Sequence, residues 1–325
     1  MTDVRHGARR LQVEVLGYPD DPPRPERWPY PVVALGNFDG LHRGHQKILD
    51  RVVRQARERH GTPLVMTFEP HPPRVLRPDK APPLLMTTPQ RIEALARAGI
   101  EGIALVRFDH ELSRLDPDTF VRRVLVDWLG VAEVWVGGNF LFGRDRTGNF
   151  SLLRDLGELY GFRVEKIDPV RYKDFVVSST RVRRLIAEGR VDEAGALLGH
   201  HYYIDGTVVP GAARGRQIGF PTANIASENE LLPPHGVYAT TLTVDERIHA
   251  AVTNIGVRQT FETAGEVSVE SHLLDVDPDL YGTRVRLAFV QRLRGEQAFA
   301  DVDALVHQIG EDVAATRSVF ERFSL

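Results

Sequence analysis

The chain has 325 residues, 42% hydrophobic and 26% charged, which is ordinary soluble composition and enough length for two domains. A formal net charge of −3 argues against a broad nucleic-acid footprint, and no run approaches the roughly 18 consecutive apolar residues of a membrane span. Cysteine is absent, which excludes disulfides and thiolate zinc sites and fits a reducing, cytoplasmic setting; the N-terminus carries no apolar core of a secretory signal.

Along the chain, the segment before Pro31 is proline-rich (PDDPPRPERWPY) and reads as a loop-like extension anchored by Trp28. PVVALG, from Pro31, reads as a buried strand, and the glycine-rich GNFDGLHRGH follows it. Next, HQKILDRVVRQARERHG places Ile48, Leu49, Val52, Val53 and Ala56 on one helical face, with Gly61 as a stop. PLVMTF, IALVRF and AEVWVGG are further strands; PQRIEALARAG and DPDTFVRRVLVDWLG are helices between them. Strands alternating with helices of this length predict parallel βαβ units in a doubly wound α/β sheet, whose ligands bind beyond the carboxyl ends of the strands. RVRRLIAEGRVDEAGALLGH is a helical connector, and the domain boundary is placed in it, near residue 188. From Tyr202 onward short apolar–polar segments broken by glycine and proline predict an antiparallel barrel or sandwich, with a hairpin turn at Asp245 and Glu246. A final amphipathic helix, with Val302, Leu305, Val306, Ile309, Val313 and Phe320 on its stripe, is expected to cap that barrel.

The strand–glycine turn–helix step is a recurring phosphate-binding device, because the first helical N–H groups lack partners and the helix dipole is positive there. Gly36 and Gly40 allow close backbone approach, and His42 and His45, three apart, are expected to share one face and donate to the same oxygens. Two imidazoles at this spacing also suit zinc, but no third ligand stands nearby, and surface or core histidines are the plainest alternative. Ser178, Ser179 and Thr180 read as N-cap residues of a helix, with Arg181 and Arg183 on a basic face. Thr222 and Asn224 offer hard oxygens suited to Mg²⁺, though they also read as ordinary turn residues. Glu270 reads as a strand carboxylate facing solvent.

GNFDGLHRGH resembles the GxFDGxHxGH signature of the HxGH nucleotidyltransferases, and VVSSTRVRRL is similar to their second signature, ISSTxIR, with valines in place of its isoleucines. TFEPHP and VGGNFLFGRDRTGN resemble motifs of prokaryotic FAD synthetases, with Asn139 where family members often carry an acid. GRQIGFPTANI resembles the riboflavin kinase signature GRxLGFPTANL, and LPPHGVYA, VESHLLDVDPDLYG and LAFVQRLRGEQAF are similar to that kinase too. NIGVRQTF departs from the pattern at Gln259, where proline is usual.

From about Pro31 to its end the chain therefore resembles the prokaryotic bifunctional riboflavin kinase/FMN adenylyltransferase family. The resemblance implies a Rossmann-like nucleotidyltransferase domain over residues 1–188 and a Greek-key β-barrel kinase over 189–325. It implies His42, His45 and Glu270 as catalytic residues, Glu270 being the base for the riboflavin 5′-hydroxyl. Gly36, Phe38, Asp39, Gly40, Ser178, Ser179, Thr180, Arg181, Arg183, Gly219 and Pro221 would bind ATP or phosphate, Asn139 and Phe142 flavin, and Thr222 and Asn224 Mg²⁺. Arg144 and Arg146 read first as solvated arginines and second as phosphate contacts. Implied substrates and products are ATP, riboflavin, FMN and FAD, with no nucleic-acid or membrane partner, in a cytoplasmic monomer or transient oligomer. Two rival readings remain: a related nucleotidyltransferase acting on pantetheine phosphate or glycerol phosphate, and a flavin-binding regulator with a degraded kinase half.

Overall fold

Six strands form one fully parallel sheet: β1 (Glu14–Tyr18), β2 (Pro31–Leu35), β3 (Thr62–Glu69), β4 (Gly102–Arg107), β5 (Glu133–Gly137) and β6 (Arg163–Ile167), in the order β1-β4-β3-β2-β5-β6. They come from a computed structural model that describes residues 13–211, 214–257 and 267–323. The chain divides into two compact units: one runs to Pro82 and resumes over Thr88–Ser178, the other takes Pro83–Thr87 and everything from Ser179.

β2 is buried along its whole length, as a central parallel strand covered on both faces must be. It leads into α1 (Arg43–Glu58), which buries Ile48, Leu49, Val52, Val53 and Ala56, the face expected from the sequence. α2 (Thr88–Arg97) precedes β4. The helix expected before β5 is Pro117–Phe120 running into a π-helical stretch, Val121–Trp128, with Asp116 as its N-cap. Two elements passed over in the sequence follow β5: α3 (Phe150–Tyr160), then β6. A small hairpin, β7 (Arg171–Tyr172) with β8 (Phe175–Val176), closes the first unit. The order reverses between β2 and β5, so their carboxyl ends form the switch point where such sheets bind ligands.

The segment before Pro31 is more than a loop. Glu14–Tyr18 pairs in parallel with β4 as an edge strand, and Trp28 is only 3% exposed, set against Gly102 and Leu64 in the core. A side chain at 102 would occupy the space of the Trp28 ring, which is why β4 begins with glycine.

In the second unit, α4 (Ser179–Ala187) packs on α5 (Val191–Leu198), and α5 packs on the barrel. The helix over which the sequence reading drew its boundary thus belongs with the second unit. The Pro83–Thr87 segment docks there as well: Arg183 Nε donates to the Pro83 carbonyl at 2.7 Å, and the Leu84 N–H donates to Glu230 at 3.0 Å.

Strands β9 (Tyr202–Val209), β10 (Ala223–Ser227), β11 (Gly236–Val244), β12 (Arg247–Val257), β13 (Val267–Leu273) and β14 (Arg284–Arg294) close into an antiparallel barrel, β10-β13-β12-β11-β14-β9. The consecutive strands β11–β12–β13, with β14 returning beside β11, are a Greek key. Asp245 and Glu246 take left-handed φ values of 44° and 69° and make the expected two-residue hairpin turn. Inside, Tyr238, Phe289 and Tyr202 pack ring on ring, and a buried hydroxyl chain links Thr240, Thr253 and Ser271 at 2.7 and 3.0 Å. Outside, α6 (Val302–Phe323) lies against β11, β12 and β14 through Val313, Val319 and Phe320. Val302, expected on its buried stripe, is exposed, because the helix reaches the barrel only further along. Among the described residues, no helix is long and apolar enough to cross a membrane.

Emptying the Trp28 site creates a cavity under β3 and β4, so Trp28→Ala is expected to cost about 3–5 kcal/mol. Calorimetry should show the transition of the first unit falling while that of the barrel stays in place.

Candidate functional site

The turn after β2 is built for close approach. Phe38, Gly40 and Leu41 all take left-handed φ values, of 51°, 85° and 38°, and Phe38, Asp39 and Leu41 are buried beneath the turn rather than on its rim. His42 is the N-cap of α1: its Nδ1 accepts the backbone N–H of His45 at 3.3 Å, which puts the ring proton on Nε2. The His42 and His45 rings stack at 3.7 Å with 13° between planes, and Phe38 supports His45 at 5.2 Å. The two imidazoles thus share one face, as the spacing suggested. Gly44 makes this possible, since a Cβ there would stand 3.0 Å from His42 Cε1.

Burial, and secondarily repulsion from His42, hold the His45 pKa well below its ordinary 6.5, so the ring is neutral at physiological pH. Its Nδ1 is buried with no hydrogen-bond partner among the described residues. A buried orphan of this kind at the positive end of a helix suits an anionic ligand. The Val177 carbonyl lies 4.0 Å from the position of a Cβ on Gly44, so the chain enters the second signature, at Ser178, right beside the first. Ser179 and Thr180 open α4 instead of preceding it, and Arg181 and Arg183 are half-buried on that helix.

From Gly36 and Asn37 a cleft of about 920 Å³ runs across the ends of β3, β4 and β5. Five phenylalanines line it: Phe68, Phe108, Phe120, Phe140 and Phe142, the last two stacked at 5.5 Å. Asn139 is exposed at its rim, and Arg144 and Arg146 are exposed along its edge. The TFEPHP and VGGNFLFGRDRTGN stretches therefore both border this cleft.

Sequence reasoning passed over the group that holds the rim. Arg91, 4% exposed, donates to the Asn37 carbonyl at 3.3 Å and pairs with Glu69 at 2.7 Å; Thr88 also donates to Glu69, and Thr67 to the Asn37 carbonyl. Its signal was an arginine four residues before Leu95, on the apolar stripe of α2.

In the barrel, Asn224 on β10 stands directly opposite Glu270 on β13, and Glu270 opposite Asn254 on β12. Since Ser271 and Thr253 point inward, these three form a row on the outer face. Glu270 is half-buried there, beside Asn224, which is buried. Gly219, with φ 87°, turns the chain after the short helix Arg214–Gln217, and Phe220 N–H closes the turn on the Gly215 carbonyl at 2.8 Å. Pro221 and Thr222 follow, lining a small hollow of about 60 Å³ with Arg216, Asp277 and Tyr281. The hydroxyl and amide oxygens of Thr222 and Asn224 and the Glu270 carboxylate are hard donors of the kind Mg²⁺ takes alongside substrate phosphates. Among the described residues, no three His, Asp or Glu side chains gather as a metal site. Gln259 lies outside the described residues.

The FAD synthetase family model matches residues 25–181, and the riboflavin kinase model residues 198–320. A bifunctional riboflavin kinase/FMN adenylyltransferase of Pseudomonas fluorescens is 41% identical over 288 residues, 89% of this chain and 92% of the relative. The enzyme of the same description from Escherichia coli K12 is 38% identical over 290 residues, with the same coverage. A crystal structure described as a macrolide-efflux protein from Streptococcus pneumoniae superposes with a TM-score of 0.84 at 29% identity, covering 94% of this chain and 99% of that one.

The neutral His45 gives a pH dependence. The unfolded chain binds a proton near pH 6.5 and the folded one only at lower pH, so stability is full above that value and is lost as pH falls below it. Urea unfolding at pH 7.5 and 5.5 should show wild type losing more stability on acidification than His45→Gln, which has no proton to gain at that position.

Proposed function

The chain belongs to the bifunctional riboflavin kinase/FMN adenylyltransferase family, and from that premise we propose which residues carry its two reactions. It phosphorylates riboflavin to FMN with ATP, and adenylylates FMN with a second ATP to give FAD and pyrophosphate.

For adenylyl transfer, the ATP phosphates lie against the start of α1, held by the first backbone N–H groups, by His42 Nε2–H and by His45. The observation that carries this reading is the His42–His45 stack, with its buried, unpartnered Nδ1. Gly36 and Gly40 let the triphosphate approach the backbone, and Phe38 and Asp39 support the turn from below. FMN occupies the aromatic cleft, its ring system against the phenylalanines, including Phe142, with Asn139 at the rim; about 300–1,000 Å³ is the usual size of a small-molecule site. An FMN phosphate oxygen attacks the α-phosphorus as the bond to pyrophosphate breaks. Preorganised donors at the α-phosphoryl oxygens lower that barrier. Ser178, Ser179, Thr180, Arg181 and Arg183 receive the leaving pyrophosphate, a role carried over from the signature they match. Arg144 and Arg146 contribute positive charge at the cleft edge.

For phosphoryl transfer, Glu270 orients the riboflavin 5′-hydroxyl and takes its proton as that oxygen bonds to the γ-phosphorus and the bond to the leaving ADP breaks. Thr222 and Asn224 would hold Mg²⁺, whose contribution when bound is to screen the charge of the ATP phosphates. Gly219 and Pro221 shape the turn that presents these oxygens. Both reactions use small-molecule substrates in the cytoplasm.

His42→Ala is expected to lower FAD formation from FMN by about 10²–10³-fold, the usual effect of losing one preorganised donor, and to leave FMN formation intact. Chromatography of the flavins after incubation with Mg-ATP reads both; loss of both activities in a folded variant would contradict the division of labour. Glu270→Ala should show the reverse pattern, and an unchanged kinase turnover would remove Glu270 from the mechanism.

A further inference from the structure

We propose that His272 is a positioning residue of the kinase site, holding the Pro221–Asn224 turn in register with Glu270. His272 follows Glu270 by two residues on β13, so both project from the same outer face of the barrel. Its Nδ1 stands 2.8 Å from the Pro221 carbonyl oxygen. A carbonyl oxygen only accepts, so Nδ1 carries the proton and donates it there. The ring also packs edge to face with Phe220, at 5.4 Å and 80°.

The turn needs such a brace. β10 begins at Ala223, and its ladder to β13 is recorded only at Ala223–Ser271 and Asn224–Glu270. Upstream, Pro221 has no N–H with which to extend that ladder. Its carbonyl is instead gripped by a side chain of the partner strand. Asn224 is therefore tied to β13 by backbone pairing, Pro221 is tied to it by His272, and Thr222 is suspended between two fixed points. One strand thereby sets the separation between the carboxylate that orients the hydroxyl and the oxygens that face the phosphates. The inference rests on the reading of Thr222 and Asn224 as the Mg²⁺-holding residues.

Three substitutions separate bracing from bulk. In His272→Asn the amide nitrogen overlies Nδ1 and keeps the donor. His272→Phe keeps a ring against Phe220 and loses the donor. His272→Gln carries its amide nearer the Nε2 position and loses the donor without adding apolar bulk. Riboflavin phosphorylation by the full-length chain is measured against free Mg²⁺ at fixed ATP, with FAD formation from FMN as the internal control. The Phe and Gln variants should need about five- to tenfold more Mg²⁺ for half-maximal kinase rate, the scale of one neutral hydrogen bond. The Asn variant should stay within about twofold of wild type on the same scale, and FAD formation should not change in any of the three. Asn224→Ala tests the underlying reading. If it shifts the Mg²⁺ requirement while the Phe and Gln variants match wild type, the brace is refuted and the metal reading stands. If Asn224→Ala leaves the requirement unchanged, the metal reading falls and the brace falls with it.

Discussion

The first unit's site depends on a side chain that is missing. With glycine at 44, the His42 ring folds back over the first turn of α1, caps the helix through Nδ1 and stacks on His45. Any Cβ would press on that ring. The atoms it would approach, Cε1 and Nδ1 of His42, belong to the ring that both caps the helix and stacks on His45. Gly44 therefore does more than loosen the backbone: it leaves room for one imidazole to cap the helix and stack on His45 at once. The Arg91–Glu69–Thr88 group supports the opposite wall, bonding to carbonyls at the ends of β2 and β3 from a nearly dry position. A buried arginine with a single acceptor would be costly; here it bridges the turn after β2, the end of β3 and a carboxylate, so its desolvation is offset by several charge-assisted bonds.

The barrel solves a different problem. A parallel sheet delivers its loops to one rim, but a closed antiparallel barrel has no such rim, and the side chains proposed for its chemistry stand in a row across neighbouring strands. The alternation of β13 sends Val269, Ser271 and Leu273 inward and Glu270 and His272 outward. The inward residues belong to the core and the outward ones carry the proposed chemistry, so packing and that chemistry are separated one residue at a time.

Much of this was legible in the sequence. The alternation of apolar runs with helical stripes gave the parallel sheet, and the apolar positions of α1 matched residue for residue, because a central strand and the helix over it have little freedom in which face they bury. The hairpin at Asp245 and Glu246 was legible from its turn residues. β1 was not: an edge strand needs no strong apolar signature, and proline-rich neighbours masked it. β6 was missed for the same reason, being largely exposed. Val302 misled because helical periodicity does not say where along its length a helix meets its partner. At the sites, motifs identified the residues expected to touch ligands. They were silent on Arg91 and His272, whose roles come from contacts across 54 and 51 positions of sequence.

The hydroxyl chain through Thr240, Thr253 and Ser271 has an evolutionary corollary. Those groups hydrogen-bond to one another and to the Ala251 carbonyl inside the barrel, so β13 cannot slide along β12 by a single step without breaking them. Such a slip would drive a carboxylate into the barrel and strand a serine outside it. Descendants that keep the barrel should therefore preserve the parity of β13, with Glu270 and His272 on one face of the strand and Ser271 on the other.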